Sequence, residues 1–162
     1  MAGDDYLKIQ FYWIGETKDK KLLSLEQEYL DRIKRFIPAE IRQVPKQKKK
    51  DPRGRSAQLA KEGQKLLSVI PPGSTVVVLD EKGDESTSPD LAEWLKKATV
   101  SGVSVIAFVI GGYWGLPEEI RSKADKTLAL SRMTFTHEMA RVLLLEQVYR
   151  AFTINNNLPY HK

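Results

Sequence analysis

Cysteine is absent from this 162-residue chain, which excludes a disulfide, a thiolate nucleophile and a cysteine-held metal, and agrees with a reducing compartment. Histidine is scarce too. Only His137 and His161 occur, far apart in sequence, so no metal site is expected. No apolar run approaches the length of a membrane span. Residues 1–20 carry Asp4, Asp5, Lys8 and Glu16 where a secretory leader needs an apolar centre. The expectation is a soluble cytoplasmic protein with no membrane partner. Acidic excess is also lacking: 26 Lys and Arg against 21 Asp and Glu leave a formal charge of +5, which fits a polyanionic partner and equally fits many soluble enzymes. The length suffices for one compact core and not comfortably for two, so a single domain over 1–162 is expected.

What is present alternates between strand and helix signals. Leu7 to Ile14 is rich in β-branched and aromatic residues and reads as a strand, and Leu22 to Phe36 follows with helical spacing. Ile41 to Val44 is a short second strand. Lys46 to Arg55 combines like charge, Pro and Gly and reads as a solvated loop. Ser56 is a candidate cap for a helix that Pro71-Pro72-Gly73 stops, and Thr75 to Leu79 is a nearly continuous apolar strand. Asp80 to Thr87 reads as a polar loop, with Ser88-Pro89 opening a helix through about Ala98. A strand from Val103 to Ile110, a short helix opened by Pro117-Glu118-Glu119, a strand from Lys126 to Leu130 and a long helix from about His137 to Phe152 complete the chain. Five strands alternating with helices imply an α/β fold with a mostly parallel sheet and helices on both faces.

Candidate chemistry gathers in the last third. The turn Gly111-Gly112-Tyr113-Trp114-Gly115 follows a late strand and lacks both the dinucleotide fingerprint and the lysine of a phosphate loop. Glu118 and Glu119 then place negative charge at a helix start, where a phosphate would sit. A phosphate-free or cationic ligand therefore suits the turn better, although the same glycines also serve a plain tight turn. The loop Ser131-Arg132-Met133-Thr134-Phe135-Thr136 is apolar for an exposed connection, as an adenine or thioether pocket requires and as simple core filling also would. The long helix is apolar over too broad a surface for one stripe, so it is either centrally buried or shared with another subunit. His137 and Arg141 lie four apart on it, suited to hold a phosphate or a base, with a capping role for His137 as the alternative. Arg150 complements a helix end, Tyr160-His161-Lys162 is a polar tail that would otherwise be a frayed end, and Lys48, Lys49 and Lys50 are candidate RNA contacts within a solvated loop. A nucleotide-binding oxidoreductase would need a glycine fingerprint after the first strand, where only Gly15 stands.

Together, Ile110-Gly111-Gly112-x-x-Gly115-Leu116, Leu130-Ser131-x-Met133-Thr134-x-x-His137-x-x-x-Arg141-Val142, Glu146-Gln147-x-Tyr149-Arg150-Ala151 and the terminal Pro159-Tyr160-His161-Lys162 resemble the large-subunit ribosomal RNA pseudouridine N3-methyltransferases of the SPOUT class. The match is strongest from about Thr75 to the terminus. Thr136 departs from the proline common there, and Tyr113-Trp114 is a bulky pair within the glycine turn. The resemblance implies a deep trefoil knot in the carboxyl-terminal part, roughly 75–162, and a homodimer in which each site borrows from its neighbour. It also implies S-adenosylmethionine as cofactor, held by Leu79, Gly111, Gly112, Gly115 and the loop Ser131, Arg132, Met133, Thr134, Phe135 and Thr136. Catalysis falls to His161, Tyr160 and Arg150, RNA contact to Lys162 with the lysine loop, and RNA contact or support of the cofactor loop to His137 and Arg141. The implied substrate is the ribosome or its large-subunit RNA; a noncatalytic ribosome-associated RNA-binding protein is the alternative.

Overall fold

The computed structural model describes residues 6–46 and 51–162. Strands β1 (Lys8–Ile14), β2 (Ala39–Val44), β3 (Thr75–Glu85), β4 (Val105–Ile110) and β5 (Lys126–Ala129) alternate with helices α1 (Lys20–Ile33), α2 (Arg55–Val69), α3 (Ser88–Thr99), α4 (Glu118–Ser122) and α5 (His137–Asn155). The strands form one parallel sheet in the order β2-β1-β4-β3-β5. The central pair carries the longest apolar runs: every residue of β4 and all but the first of β1 is buried, as expected for strands covered on both faces. Phe11 and Phe108 are register partners and stack with centroids 5.5 Å apart. One face of the sheet packs through Trp13, Ile106, Leu95, Leu144 and Val148 against α1, α3 and α5. The other packs through Tyr12, Val78, Leu66 and Ile120 against α2 and α4.

Four local expectations change. Strand β3 does not stop at Leu79. It continues to Glu85 through an irregularity, pairing Leu79 with Leu128 and then Asp84 with Leu128. Backbone pairing along the end of β5 carries this extension, so its polar side chains gave no strand signal, and Gly83 is held so close to Leu128 that a side chain would collide with its backbone. The cap of α3 is Thr87, whose hydroxyl accepts from Asp90 N while the Asp90 carboxylate accepts from Thr87 N. Ser88 is one residue inside. Likewise α2 starts from Gly54, and Ser56 lies in its first turn. In the basic loop, Asp51 is buried and ion-pairs with Arg53 and Lys61, so this end of the segment is anchored. Lys48, Lys49 and Lys50 lie outside the described residues.

The breadth of apolar residues on α5 is accounted for largely within the chain. It is wedged between α1 and α3, burying Val142, Leu144, Leu145, Val148, Ala151 and Phe152 within the same chain. No helix among the described residues is long and apolar enough to cross a membrane.

Candidate active site

The carboxyl ends of parallel strands leave loops on one edge of the sheet, where open α/β folds bind ligands. Three such loops converge at β4, β3 and β5. After β4, Gly115 N donates to Gly112 O at 3.0 Å, closing a tight turn in which Gly115 has a φ of +80°, a conformation suited to glycine. Gly111 runs directly beneath it, and a Cβ there would collide with the Gly115 carbonyl. After β5, Ser131 Oγ accepts from Met133 N at 2.9 Å, and the loop crosses toward β1 as it leads into α5. It leans on the extension of β3: Thr134 Oγ1 donates to Glu81 at 3.0 Å and Arg132 Nε donates to Glu85 at 2.8 Å. Thr136 caps α5 by accepting from Met139 N. Leu79 is half-buried at the base of these loops. Five expected positions, Gly111, Gly112, Gly115, Ser131 and Thr134, thus belong to loops that follow the strands on either side of β3, with Leu79 in β3 itself and Met133 (76% exposed) and Phe135 presenting apolar surface.

This arrangement has a definite electrostatic character. Asp80 lies 2.9 Å from Arg121 Nε as an ion pair without hydrogen-bond alignment, and Glu81 and Glu85 stand beside the 131–136 loop. Sequence reasoning missed all three carboxylates because they were assigned to a polar loop. With Asp80 paired to Arg121 and Glu85 to Arg132, Glu81 is the one of the three without a basic partner among the described residues, and together with the apolar side chains and the close-packed glycine turn it suits a flat heteroaromatic group attached to a cation better than a phosphate.

His137 and Arg141 sit at the other side of the glycine turn, and of the two roles expected for Arg141 its geometry suits support of the loop rather than RNA contact. Its guanidinium is fully buried, donating to Ile14 O and to Thr17 Oγ1 at 2.8 Å each and lying over the Trp13 ring. Thr17 in turn donates to the buried carboxylate of Glu26. Arg141 therefore ties the start of α5 to the end of β1 and turns no charge toward solvent, where an RNA phosphate would lie. His137 is half-buried, and burial together with the Arg141 charge lowers its pKa, leaving the ring neutral at neutral pH. Glu138 accepts from the backbone amides of Lys18 and Asp19 and so holds the start of α1 beside the start of α5.

The tail makes a second cluster. It folds back along α5: Leu158 N donates to Thr153 O, and Tyr160 Oη donates to Glu146 at 3.0 Å with its ring edge-on to Tyr149. Arg150 also binds Glu146, lies over the Tyr160 ring at 4.8 Å, and approaches His161 Nδ1 to 3.4 Å. Burial, followed by hydrogen bonding to Tyr29 and Glu146, raises the Tyr160 pKa well above its ordinary value, so the group is a phenol at neutral pH. Tyr160, His161 and Arg150 are thus brought together, whereas Lys162 is exposed with no partner among the described contacts. Glu146 and Tyr149 stood in the sequence motif without a role, and the Tyr29–Arg32 pair, whose ring meets Tyr149 at a tilt and whose guanidinium lies over it, was not singled out; the i,i+4 spacing of Glu146 and Arg150 was the available signal.

The two clusters are separated within one chain. From Glu146, where the tail docks, back to His137 at the start of α5 is nine residues, about 13 Å at the helical rise. Between them the outer face of α1 and α5 carries Leu25 and Met139, both exposed, and the Tyr29 and Tyr149 rings. Among the described residues no group of three His, Cys, Asp or Glu side chains is arranged to hold a metal.

Comparison with known proteins agrees with this geometry. Residues 7–161 match the family described as predicted SPOUT methyltransferase. The ribosomal RNA large subunit methyltransferase H of Geobacter sulfurreducens is 41% identical over 157 residues, spanning 96% of this chain and 99% of the relative. Its namesake from Geobacter metallireducens is 42% identical over the same spans. Among solved structures, a probable methylase family protein from Haemophilus influenzae has a TM-score of 0.56 at 17% identity, covering 95% of this chain and 70% of that one, a likeness of fold.

Proposed function

The chain belongs to the SPOUT methyltransferase family, and from that premise we propose that it transfers a methyl group from S-adenosylmethionine to N3 of a pseudouridine in large-subunit ribosomal RNA, acting in the cytoplasm on the assembled ribosome. The observation that carries the reading is the end-to-end match to relatives named for methylating that RNA. The site supports it: the residues present suit the cofactor, since Gly111, Gly112 and Gly115 and the loop Ser131 to Thr136 offer backbone and apolar contacts for an adenine and thioether. The Glu81 carboxylate, which accepts from Thr134, favours a sulfonium. When bound, the cofactor supplies an electrophilic methyl carbon. The knot belongs to the same proposal, supported by the 131–136 segment, which crosses from β5 at the sheet edge to α5 beside β1.

Methylation at N3 requires that the N3 proton pass to solvent water as the nitrogen–carbon bond forms and the sulfur–carbon bond breaks, so the chain must orient the base and stabilise its developing anion. His161 and Arg150 serve that purpose. With the Arg150 guanidinium donating toward Nδ1, the tautomer that accepts there has its N–H at Nε2 and presents that donor to a base carbonyl. Tyr160, protonated, orders both through Glu146. Because the tail stands a helix length from the loops, the productive site is built from two copies. A two-fold axis across the α1–α5 face would set the tail of one protomer near the loops of the other, and the exposed Leu25 and Met139 there support such an interface.

The reading is tested by incubating the protein with labelled S-adenosylmethionine and ribosomes lacking this methylation, then mapping the product by mass spectrometry. Label on N3 of a pseudouridine is expected; cofactor binding without transfer would replace the enzyme with a noncatalytic ribosome-associated protein. The cofactor assignment has its own check. Gly111→Ala forces the turn apart and is expected to weaken S-adenosylmethionine binding at least about tenfold by calorimetry. Unchanged affinity would move the cofactor elsewhere.

A further inference from the structure

The glycine turn carries two aromatic side chains that the fold does not use. Tyr113 is 72% exposed and Trp114 is 42% exposed, and their rings meet edge to face at 4.5 Å. The Arg55 guanidinium, from the first turn of α2, lies 4.2 Å above the Trp114 ring. A large aromatic pair in water is costly unless something covers it, and this pair is also restrained: Arg55 fixes Trp114, and Trp114 fixes Tyr113.

Beside the pair, on the β1–β2 side of the glycine turn, is a cavity of about 1080 Å³, at the upper end of small-ligand sites and roomy enough for a nucleotide. Lys18, Lys46 and Arg55 line it. Its acids are Glu16, Asp51, Glu62 and Glu138; Asp51 is neutralised by Arg53 and Lys61 and Glu138 is bound to backbone amides, so the three cations face three remaining carboxylates, with Arg55 the one placed against the aromatic pair. The 131–136 loop starts on the opposite, β5 side of the same turn and crosses to this side, where His137 and Glu138, which follow it, line the cavity. Gly112 is common to the cavity and the loops assigned to the cofactor.

We propose that the Tyr113–Trp114 pair, braced by Arg55, is a stacking platform for an unpaired nucleobase of the substrate RNA neighbouring the methylated nucleotide, and that the adjoining cavity receives that base. The inference rests on the function proposed above and extends it to how the RNA is held. Aromatic rings give stacking energy to any base and cations beside them hold its phosphate, the combination used for single-stranded nucleic acid. Continuity with the glycine turn places the bound base next to the reacting one.

The test compares Tyr113→Ala, Trp114→Ala and Trp114→Phe with the wild type. Three quantities are measured: the affinity for large ribosomal subunits, KM for ribosomes in methyl transfer, and the dissociation constant for S-adenosylmethionine. Each alanine variant is expected to weaken subunit affinity and raise KM by about tenfold, with cofactor affinity within about twofold and with Trp114→Phe close to wild type. Unchanged subunit affinity in both alanine variants would overturn the platform. So would an equal loss of cofactor affinity, which would make the pair a cover for the cofactor, or dissociation into monomers, which would make it an interface between copies. A wild-type protein that bound subunits but transferred no methyl would refute the proposed function, while the subunit affinities would still decide the platform.

Discussion

Replacing His161 by alanine, or removing Tyr160 to Lys162, is expected to lower the rate of methyl transfer by at least about 100-fold while leaving S-adenosylmethionine binding within about twofold. The separation follows from geometry: the tail docks on Glu146 and Tyr149, nine residues along α5 from the start of the helix where the cofactor loop ends. Arg150→Lys should lose most of the same rate, because a single ammonium cannot bind Glu146, cover Tyr160 and face His161 together, as the planar guanidinium does. The composite site gives a sharper form of the same expectation. His161→Ala protein mixed with Gly111→Ala protein, assayed at a cofactor concentration too low to load the Gly111→Ala loop, should regain about a quarter of wild-type activity on subunit exchange, since half the dimers become mixed and each has one intact site. No recovery after verified exchange would place tail and loop of one working site in the same chain.

The sheet was legible because its strands are short apolar runs punctuated by Pro and Gly, and burial on both faces demands such runs. The order of the five strands and five helices followed from that alternation alone. The extension of β3 was not legible: Asp80 to Glu85 is stabilised by backbone pairing with β5, which leaves no pattern in side-chain hydropathy. That one misreading also hid the acidic side of the candidate site, since Asp80, Glu81 and Glu85 come with the extension. The choice between RNA contact and loop support for Arg141 stayed open for a different reason. An arginine one turn from a histidine on a helix looks like a solvent-facing pair, and only the tertiary contact with Ile14 and Thr17 reveals that it points inward. The tail residues were drawn from family resemblance, and periodicity alone would have left them as a frayed end.

Arg141 carries the second large expectation. Its side chain satisfies the last carbonyl of β1, the Thr17 hydroxyl and, through charge, the buried Glu26 carboxylate, whose pKa burial raises. Arg141→Met keeps the apolar stem and removes all three, leaving a buried carboxylate without a counter-charge, a change that costs about 3 kcal/mol or more. Urea unfolding should show a correspondingly lower midpoint with an unchanged slope. Adding Glu26→Gln to Arg141→Met should recover part of the loss, because the uncompensated charge goes with the carboxylate. Equal stability of the two variants would mean that Glu26 is not coupled to Arg141, and a wild-type midpoint for Arg141→Met would mean that water replaces the guanidinium at no cost. The consequence for function is positional. Arg141 fixes the first turn of α5 against β1, Thr136 caps that turn, and the loop from Ser131 hangs between it and β5. Arg141→Met should therefore weaken S-adenosylmethionine binding even under conditions where the variant is fully folded, although its side chain touches neither the cofactor loops nor solvent.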